Sequence, residues 1–265
     1  MHPILFKILH FQIGTYGLLY AISFLVALRV ATHYARKEGI EPARILDLGI
    51  YALLSGIIGA KLFLYLIDLP HYLRHPEEIL RTWRAAGVFY GGLLFALAVG
   101  LFYLRRHRIS VWKATDAVAP AAAIGQAIGR LGCFAAGCCY GIPADTPISV
   151  TFRNPEAYHL TGVTLDTPLL PTQLFHSASN FLTFFVLVFF YRRKSRPGTI
   201  FWLYLLLHGG FRFTVEFFRG DYRGPQIAGN LTTSQLIALA GFLIAGFMLL
   251  KILRSGRPAE SGGGK

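Results

Sequence analysis

Residues 129–141 read Gly-Arg-Leu-Gly-Cys-Phe-Ala-Ala-Gly-Cys-Cys-Tyr-Gly, and they hold every cysteine of the chain: Cys133, Cys138 and Cys139. The surrounding sequence is apolar, where a charged side chain such as Arg130 is costly and usually serves a function. Cysteine thiolates are nucleophiles and ligands for soft metals, and a neighbouring guanidinium favours the thiolate. A guanidinium also matches phosphate oxygens in a bidentate way. The types of residue in this stretch therefore indicate thiol, metal or phosphate chemistry.

A second charged group lies near the end of a later apolar block. Arg212, Glu216 and Arg219 are separated by four and three residues, which places all three on one face of a helix. Arg212 and Glu216 can pair there, which lowers the cost of burying either. With Arg130 reaching the same cavity from a neighbouring helix, two arginines would form a clamp for a phosphate group.

The elements that must position these residues are apolar helices. Of the 265 residues, 54% are hydrophobic and only 15% are charged, whereas a soluble domain usually carries about 25% charged residues. A helix that crosses a bilayer needs roughly 20 apolar residues. We predict an all-α polytopic membrane protein with about seven transmembrane helices. The expected spans are residues 12–32, 45–68, 86–104, 117–137, 173–191, 198–217 and 232–252.

The distribution of basic residues predicts the topology. The net charge is +13, but most Lys and Arg residues follow the first, third, fifth and seventh spans, in segments 36–44, 105–113, 192–196 and 251–265. The positive-inside rule then places the N-terminus outside and the C-terminus in the cytoplasm. The basic excess is thus a topology signal, and we expect no nucleic-acid partner.

The same topology predicts one transmembrane domain, residues 1–254, followed by a disordered cytoplasmic tail, residues 255–265. Two outer loops are expected at 69–85 and 142–172, the first with a short helix and the second with a short hairpin near residues 148–152. Asp116 is expected to be only a helix-start residue. A site at residues 129–141 would open to the exterior.

Five segments resemble a known family, the phosphatidylglycerol–prolipoprotein diacylglyceryl transferases. They are Thr15–Tyr20 with its Tyr-Gly pair, Val88–Leu94 with its Gly-Gly-Leu, Gly129–Gly141, the Pro-Thr-Gln-Leu-Phe of Leu170–His176, and Phe211–Arg219 followed by Asp221. Their order and spacing run through most of the chain.

The resemblance implies a reaction in which a diacylglyceryl group passes from phosphatidylglycerol to the cysteine thiol of a lipoprotein precursor. Glycerol phosphate leaves and a thioether forms. The implied partners are phosphatidylglycerol, a prolipoprotein or another thiol acceptor, and membrane lipids, with no cofactor. The implied location is the bacterial plasma (inner) membrane, with a multi-pass chain and a site facing the outer leaflet.

The resemblance also implies roles for individual residues. Arg130 would contact the lipid phosphate. The full set of implied substrate-binding residues is Arg130, Tyr16, Gly141, Arg219 and Gln173. The expected catalytic residues are Tyr90, Cys133, Cys138, His176, Arg212 and Glu216. No metal ligand is included in either set.

The chain departs from the family at polar positions. Tyr90 stands in place of a histidine, Cys133 and Ala136 in place of asparagines, and Cys138 in place of a glutamate; Leu170 and His176 stand in place of a histidine and a glutamate. Tyrosine titrates near 10 when unperturbed, so it is a poorer base at neutral pH than histidine.

Three interpretations of the cysteines remain open: packing as small apolar residues, thiol chemistry, and binding of a soft metal together with His176. Their spacing differs from the paired Cys-x-x-Cys motifs of common metal sites. Two alternative functions on the same scaffold follow: a membrane thiol or redox enzyme, and a phospholipid-binding or transport protein.

Overall fold

The structure is a computed structural model that describes residues 3–8, 11–82, 87–194, 196–221 and 231–254. The predicted tail, residues 255–265, lies outside the described residues. The chain divides into two compact units, one of Met1–Ala31 with Thr115–Lys265 and one of Thr32–Ala114.

The described residues are mainly helical, and they include two short antiparallel strand pairs. In chain order the elements are β1 (Ile4–Ile8), β2 (Phe11–Gly14), α1 (Thr15–Lys37), α2 (Pro42–Ile67), α3 (Leu69–Arg74), α4 (Glu77–Arg81), α5 (Phe89–Arg106), α6 (Val111–Ala136), β3 (Val150–Thr151), α7 (Pro155–Thr161), β4 (Pro168–Leu169), α8 (Thr172–Tyr191), α9 (Thr199–Glu216) and α10 (Thr233–Arg254). Strand β1 pairs with β2, and β3 pairs with β4.

Six of these helices are long and apolar enough to cross a membrane: α1, α2, α5, α6, α8 and α10. The protein is therefore a multi-pass membrane protein. The sixth predicted span, residues 198–217, corresponds to α9, which forms a helix of 18 residues but is not among these six helices. Its second half carries His208, Arg212 and Glu216, which interrupt the apolar sequence.

In the unit of Thr32–Ala114, helices α2 and α5 pack with their backbones in close contact. A Cβ atom added at Gly59 would lie 2.7 Å from the carbonyl oxygen of Gly91, and one added at Gly92 would lie 2.7 Å from that of Gly56. Small residues allow this approach, which is a common way for membrane helices to associate. This close packing of α2 and α5 explains the Gly-Gly pair that follows Tyr90 in the first turn of α5.

In the other unit, small residues on α6 face α1. A Cβ atom added at Gly125 would lie 3.2 Å from Cβ of Ala27, and one added at Gly132 would lie 3.4 Å from the carbonyl oxygen of Tyr16. The start of α1 is thereby held against the last turns of α6, which carry Arg130 and Cys133.

The two predicted outer loops both contain ordered elements. The first contains two short helices, α3 and α4, where a single short helix was expected. In the second, where a short hairpin was predicted near residues 148–152, the two paired strands do not follow one another directly. Strand β3 covers only Val150–Thr151, and it pairs with β4 beyond helix α7. The reason is a small core of its own, formed by Phe152, Ala157, Val163 and Leu169.

Asp116 does more than begin a helix. Its fully buried carboxylate accepts hydrogen bonds from the backbone N–H groups of Gly198 at 2.8 Å and Phe201 at 2.9 Å. Lys194 Nζ donates to the same carboxylate at 3.2 Å. Because the first N–H groups of a helix have no intrahelical partner, Asp116 on α6 caps the start of α9.

Candidate active site

The three cysteines converge at the C-terminal end of α6. Cys133 lies in its last turn, and the chain then turns at Gly137 with φ of 85° and at Cys139 with φ of 60°. A positive φ is unusual for cysteine and persists only where the surrounding structure enforces it. The turn brings the three Sγ atoms within 4.8 Å of one another. Sequence spacing alone does not reveal this grouping.

The start of α8 holds this turn in place. Gln173 Nε2 donates a hydrogen bond to the carbonyl oxygen of Cys138 at 2.8 Å, and Thr172 Oγ1 donates to that of Cys139 at 2.8 Å. Both Gln173 and Thr172 are fully buried. The cysteine turn is therefore a fixed part of the interior.

Gly141 lies where three segments meet. It belongs to the segment after α6, and it contacts the segment before α8 and the segment after α9. Its N–H donates to the carbonyl oxygen of Leu170 at 2.9 Å, and it forms an isolated antiparallel bridge with Arg219. A Cβ atom added at Gly141 would lie 2.6 Å from the Leu170 oxygen and 2.7 Å from the Phe218 oxygen. Only glycine fits this crossing, which fixes Arg219 next to the cysteine turn.

The predicted pair on α9 is present. Arg212 Nη2 lies 3.4 Å from Glu216 Oε2, with 18% of the arginine side chain and 1% of the glutamate side chain exposed. Thr232 Oγ1 donates to Glu216 Oε1 at 3.4 Å. The buried carboxylate is thus held by partners on both sides.

Arg219 and Asp221 form a second ion pair, which the sequence pattern did not predict. Arg219 donates from Nε to Asp221 Oδ1 at 2.8 Å and from Nη2 to Oδ2 at 2.7 Å. The Arg219 guanidinium also lies beside Cys139. The neighbouring Cys133 and Cys138 thiols, together with this guanidinium, lower the pKa of Cys139.

His176 lies one turn into α8 and is almost fully buried. The guanidinium groups of Arg130, Arg212 and Arg219 all interact electrostatically with its ring. Within the described residues, four buried polar atoms here make no hydrogen bond: His176 Nε2, Gln173 Oε1, Arg219 Nη1 and Glu216 Oε2, the last of which is ion-paired with Arg212. Buried polar atoms are rarely left unsatisfied unless they serve a binding or catalytic role.

Sequence reasoning missed a polar chain behind His176. Asn180 Nδ2 donates to the His176 carbonyl oxygen at 2.7 Å, and Asn180 Oδ1 lies 3.3 Å from His208 Nδ1. His208 stacks on Tyr204 with ring centroids 5.4 Å apart, and Gln126 Nε2 donates to the Tyr204 hydroxyl at 2.6 Å. The signal was available, because polar side chains inside apolar helices are uncommon.

Most predicted site residues belong to this one cluster. Tyr16, at the start of α1, interacts electrostatically with all three cysteines. Tyr90 belongs to the other unit, where it lies near the start of α5 and is 48% exposed. Its expected catalytic role stays a prediction, as do the roles of the other residues.

Comparison with known proteins shows the family of the chain. The family model described as prolipoprotein diacylglyceryl transferase matches residues 3–251. The chain belongs to the prolipoprotein diacylglyceryl transferase family. It is therefore a membrane transferase of lipoprotein biosynthesis, and the family resides in the plasma membrane.

Relatives within the prolipoprotein diacylglyceryl transferase family align along nearly the whole chain. A phosphatidylglycerol–prolipoprotein diacylglyceryl transferase of Clostridium tetani is 34% identical over 94% of this chain and 96% of its own length. Proteins of the same name from Symbiobacterium thermophilum and Geobacter sulfurreducens are each 31% identical, over 98% and 95% of this chain and 95% of their own lengths. The match to the family model, residues 3–251, includes all the segments that carry the site.

Proposed function

We propose that this chain transfers the diacylglyceryl group of phosphatidylglycerol to the cysteine thiol of a prolipoprotein, at the cluster formed by the ends of α6, α8 and α9. The family supplies the reaction, and its substrates are those named for the relatives above. The cluster supplies groups that suit an anionic lipid and a thiol.

The charge balance of the cluster is the observation that carries the proposal. Arg130, Arg212 and Arg219 bring three positive charges, and Glu216 and Asp221 bring two negative ones. Among the described residues, no carboxylate lies within ion-pair distance of Arg130. The phosphodiester of phosphatidylglycerol carries one negative charge, and the Arg130 guanidinium matches its oxygens in a bidentate way.

The roles of single residues follow from their places. Arg130 and Arg219 bind the phosphate, with Tyr16, Gly141 and Gln173 shaping the surrounding pocket. Arg212 and Glu216 form a polar wall that keeps the charges oriented. His176, Cys133 and Cys138 act near the acceptor thiol. Tyr90 keeps its expected catalytic role as a separate prediction.

The proposed topology has seven membrane helices, in which α9 crosses in addition to α1, α2, α5, α6, α8 and α10. The N-terminus is outside and the C-terminus is cytoplasmic, as the positive-inside rule requires. In this arrangement the C-terminal ends of α6 and α9 and the N-terminal end of α8 all lie at the outer face. The site then opens to the outer leaflet of the plasma membrane, where phosphatidylglycerol and an exported prolipoprotein are both accessible.

The test uses the full chain in lipid nanodiscs that contain phosphatidylglycerol, with a peptide that carries the acceptor cysteine. Mass spectrometry should find the peptide thioether, and glycerol phosphate should be released in equal amount. Arg130→Gln should lower the rate by roughly 100-fold, as loss of one well-placed donor does in other enzymes. Arg153→Gln, at an arginine whose side chain is 82% exposed, is the matched control and should leave the rate unchanged.

Two outcomes would reject the proposal. Phosphatidylglycerol that is retained without turnover would indicate a lipid-binding or transport protein. A peptide recovered as a mixed disulfide with the enzyme, and never as a thioether, would indicate a thiol or redox enzyme.

A further inference from the structure

The three thiols form a preorganised group whose spacing suits a metal ion. Their Sγ atoms lie within 4.8 Å of one another, and all three cysteines are free. A tetrahedral ion with metal–sulfur bonds of about 2.3 Å holds its sulfurs about 3.8 Å apart. The sulfurs would therefore need to approach by at most about 1 Å, which small side-chain rotations provide.

The backbone around the thiols is fixed before any ligand binds. Cys139 adopts the left-handed region with φ of 60°, and Gln173 and Thr172 hold the carbonyl groups of Cys138 and Cys139. This arrangement directs side chains from positions 133, 138 and 139 to a common point. A binding group held by buried hydrogen bonds loses little conformational entropy when it takes a ligand.

The charges nearby also suit a metal thiolate. Three thiolates and one divalent cation carry one net negative charge. Arg130 acts electrostatically on Cys133, and Arg219 acts on Cys139. These guanidinium groups offset the charge in a setting where an isolated anion would be strongly disfavoured.

The number of ligands indicates what the ion would do. Across the part of the chain that the structure describes, no further His, Cys, Asp or Glu joins the group of three. Structural zinc sites are usually closed by four protein ligands, whereas catalytic sites keep one position open for water or substrate. A thiol that binds such an ion loses its proton and becomes a thiolate.

We propose that Cys133, Cys138 and Cys139 bind a thiophilic divalent ion of the zinc type, whose open fourth position takes the acceptor cysteine as a thiolate. This inference rests on the proposed function, and it differs from the expectation that the site contains no metal. It explains why thiols, rather than other polar groups, surround the place where a thiol must be activated.

The transfer step needs no reactant besides the acceptor thiol and phosphatidylglycerol. The acceptor thiol releases its proton to solvent when it binds the ion. Its sulfur then attacks the glyceryl carbon that carries the phosphate, so a carbon–sulfur bond forms and the carbon–oxygen bond breaks. The electron pair of that bond leaves with glycerol phosphate, and the neutral thioether dissociates from the ion.

The experiment uses the purified full chain in nanodiscs with Co²⁺ as a spectroscopic probe in place of Zn²⁺. About one Co²⁺ should bind per chain, with the near-ultraviolet absorption that sulfur-to-cobalt charge transfer produces. Each of Cys133→Ser, Cys138→Ser and Cys139→Ser should remove about a third or more of that absorption. A peptide with the acceptor cysteine should raise it by about a third, and the same peptide with serine should not.

A second measurement needs no substitution and so does not depend on the folding of a variant. X-ray absorption at the zinc edge of the wild-type protein should count three sulfur neighbours at about 2.3 Å, and four after the cysteine peptide is added. Failure to bind either ion, binding that survives all three substitutions, or an unchanged sulfur count with the peptide would overturn the proposal.

The proposal of a metal site and the proposed transferase function can be rejected independently of each other. Full transfer activity after the ion is removed by a chelator would reject the metal proposal and leave the proposed function intact. A bound ion with the peptide thiol attached, but no thioether product from phosphatidylglycerol, would reject the proposed function and leave the metal site.

Discussion

Arg212 and Glu216 form an ion pair one helical turn apart on α9, at 3.4 Å, with the glutamate side chain almost fully buried. A carboxylate in this position is stable only while its partner is present, because an unpaired buried charge is strongly disfavoured. The pair also determines how the Arg212 guanidinium points within the charged cluster. Stability and substrate binding are therefore linked at these two residues.

Arg212→Ala should destabilise the protein by about 3–5 kcal/mol, since it leaves the Glu216 carboxylate buried without its counter-charge. The midpoint of thermal unfolding in detergent reports the change. The matched control is Asp166→Asn, which breaks a surface pair with Arg153 whose side chains are 82% and 79% exposed. Such surface pairs contribute only about 0–1 kcal/mol. Equal effects of the two variants would contradict the buried pair on α9.

Gly141→Ala should disrupt the crossing that joins the segments after α6 and α9. The added Cβ would lie 2.6 Å from the Leu170 carbonyl oxygen, so the backbone must shift and move Arg219 away from Cys139. We expect a large loss of transfer activity together with a lower unfolding midpoint. Gly241→Ala is the control, because a Cβ there meets nothing within 4 Å. A Gly141→Ala protein with wild-type activity would show that the close crossing is not required.

Asp116→Asn should destabilise the start of α9 by about 1–3 kcal/mol, because the amide satisfies fewer of the buried donors than the carboxylate does. Hydrogen exchange should quicken first at the amides of Gly198 and Phe201, which donate to Asp116. Glu41→Gln is a suitable comparison, since Glu41 precedes α2 without a side-chain capping bond. Unchanged exchange at both amides would argue against the cap.

The contact between α3 and α4 should depend on pH. His71 Nε2 lies 2.8 Å from Glu78 Oε2, and this hydrogen bond raises the pKa of His71. A group with a raised folded pKa adds stability that is fully present below its unfolded value, about 6.5. That stability is lost as the pH rises through the folded pKa.

Hydrogen exchange at the α4 amides, corrected for the intrinsic effect of pH, should therefore be slower at low pH than at high pH. Glu78→Gln should remove this difference, and His75→Gln should preserve it. A difference that persists in Glu78→Gln would show that another group controls the contact.

The sequence by itself predicted the family and, among seven expected spans, the six helices that are long and apolar enough to cross a membrane. Long apolar blocks fix where helices cross, because a bilayer leaves no other partner for the backbone than the helix itself. The spacing of Arg212 and Glu216 predicted their pair, since helical periodicity is local. The motif around Arg130 indicated the polar site for another local reason, because a charged side chain within apolar sequence is uncommon.

Only the tertiary structure decided how the cysteines are arranged. Their convergence depends on positive φ at Gly137 and Cys139 and on hydrogen bonds from Gln173 and Thr172, which are distant in sequence. Two hydrogen bonds join Asp116 to the start of α9. One comes from Gly198, 82 positions later, and the other from Phe201, 85 positions later. Long-range contacts such as these carry no periodic signal, so the sequence alone could not show that the three sulfurs lie together.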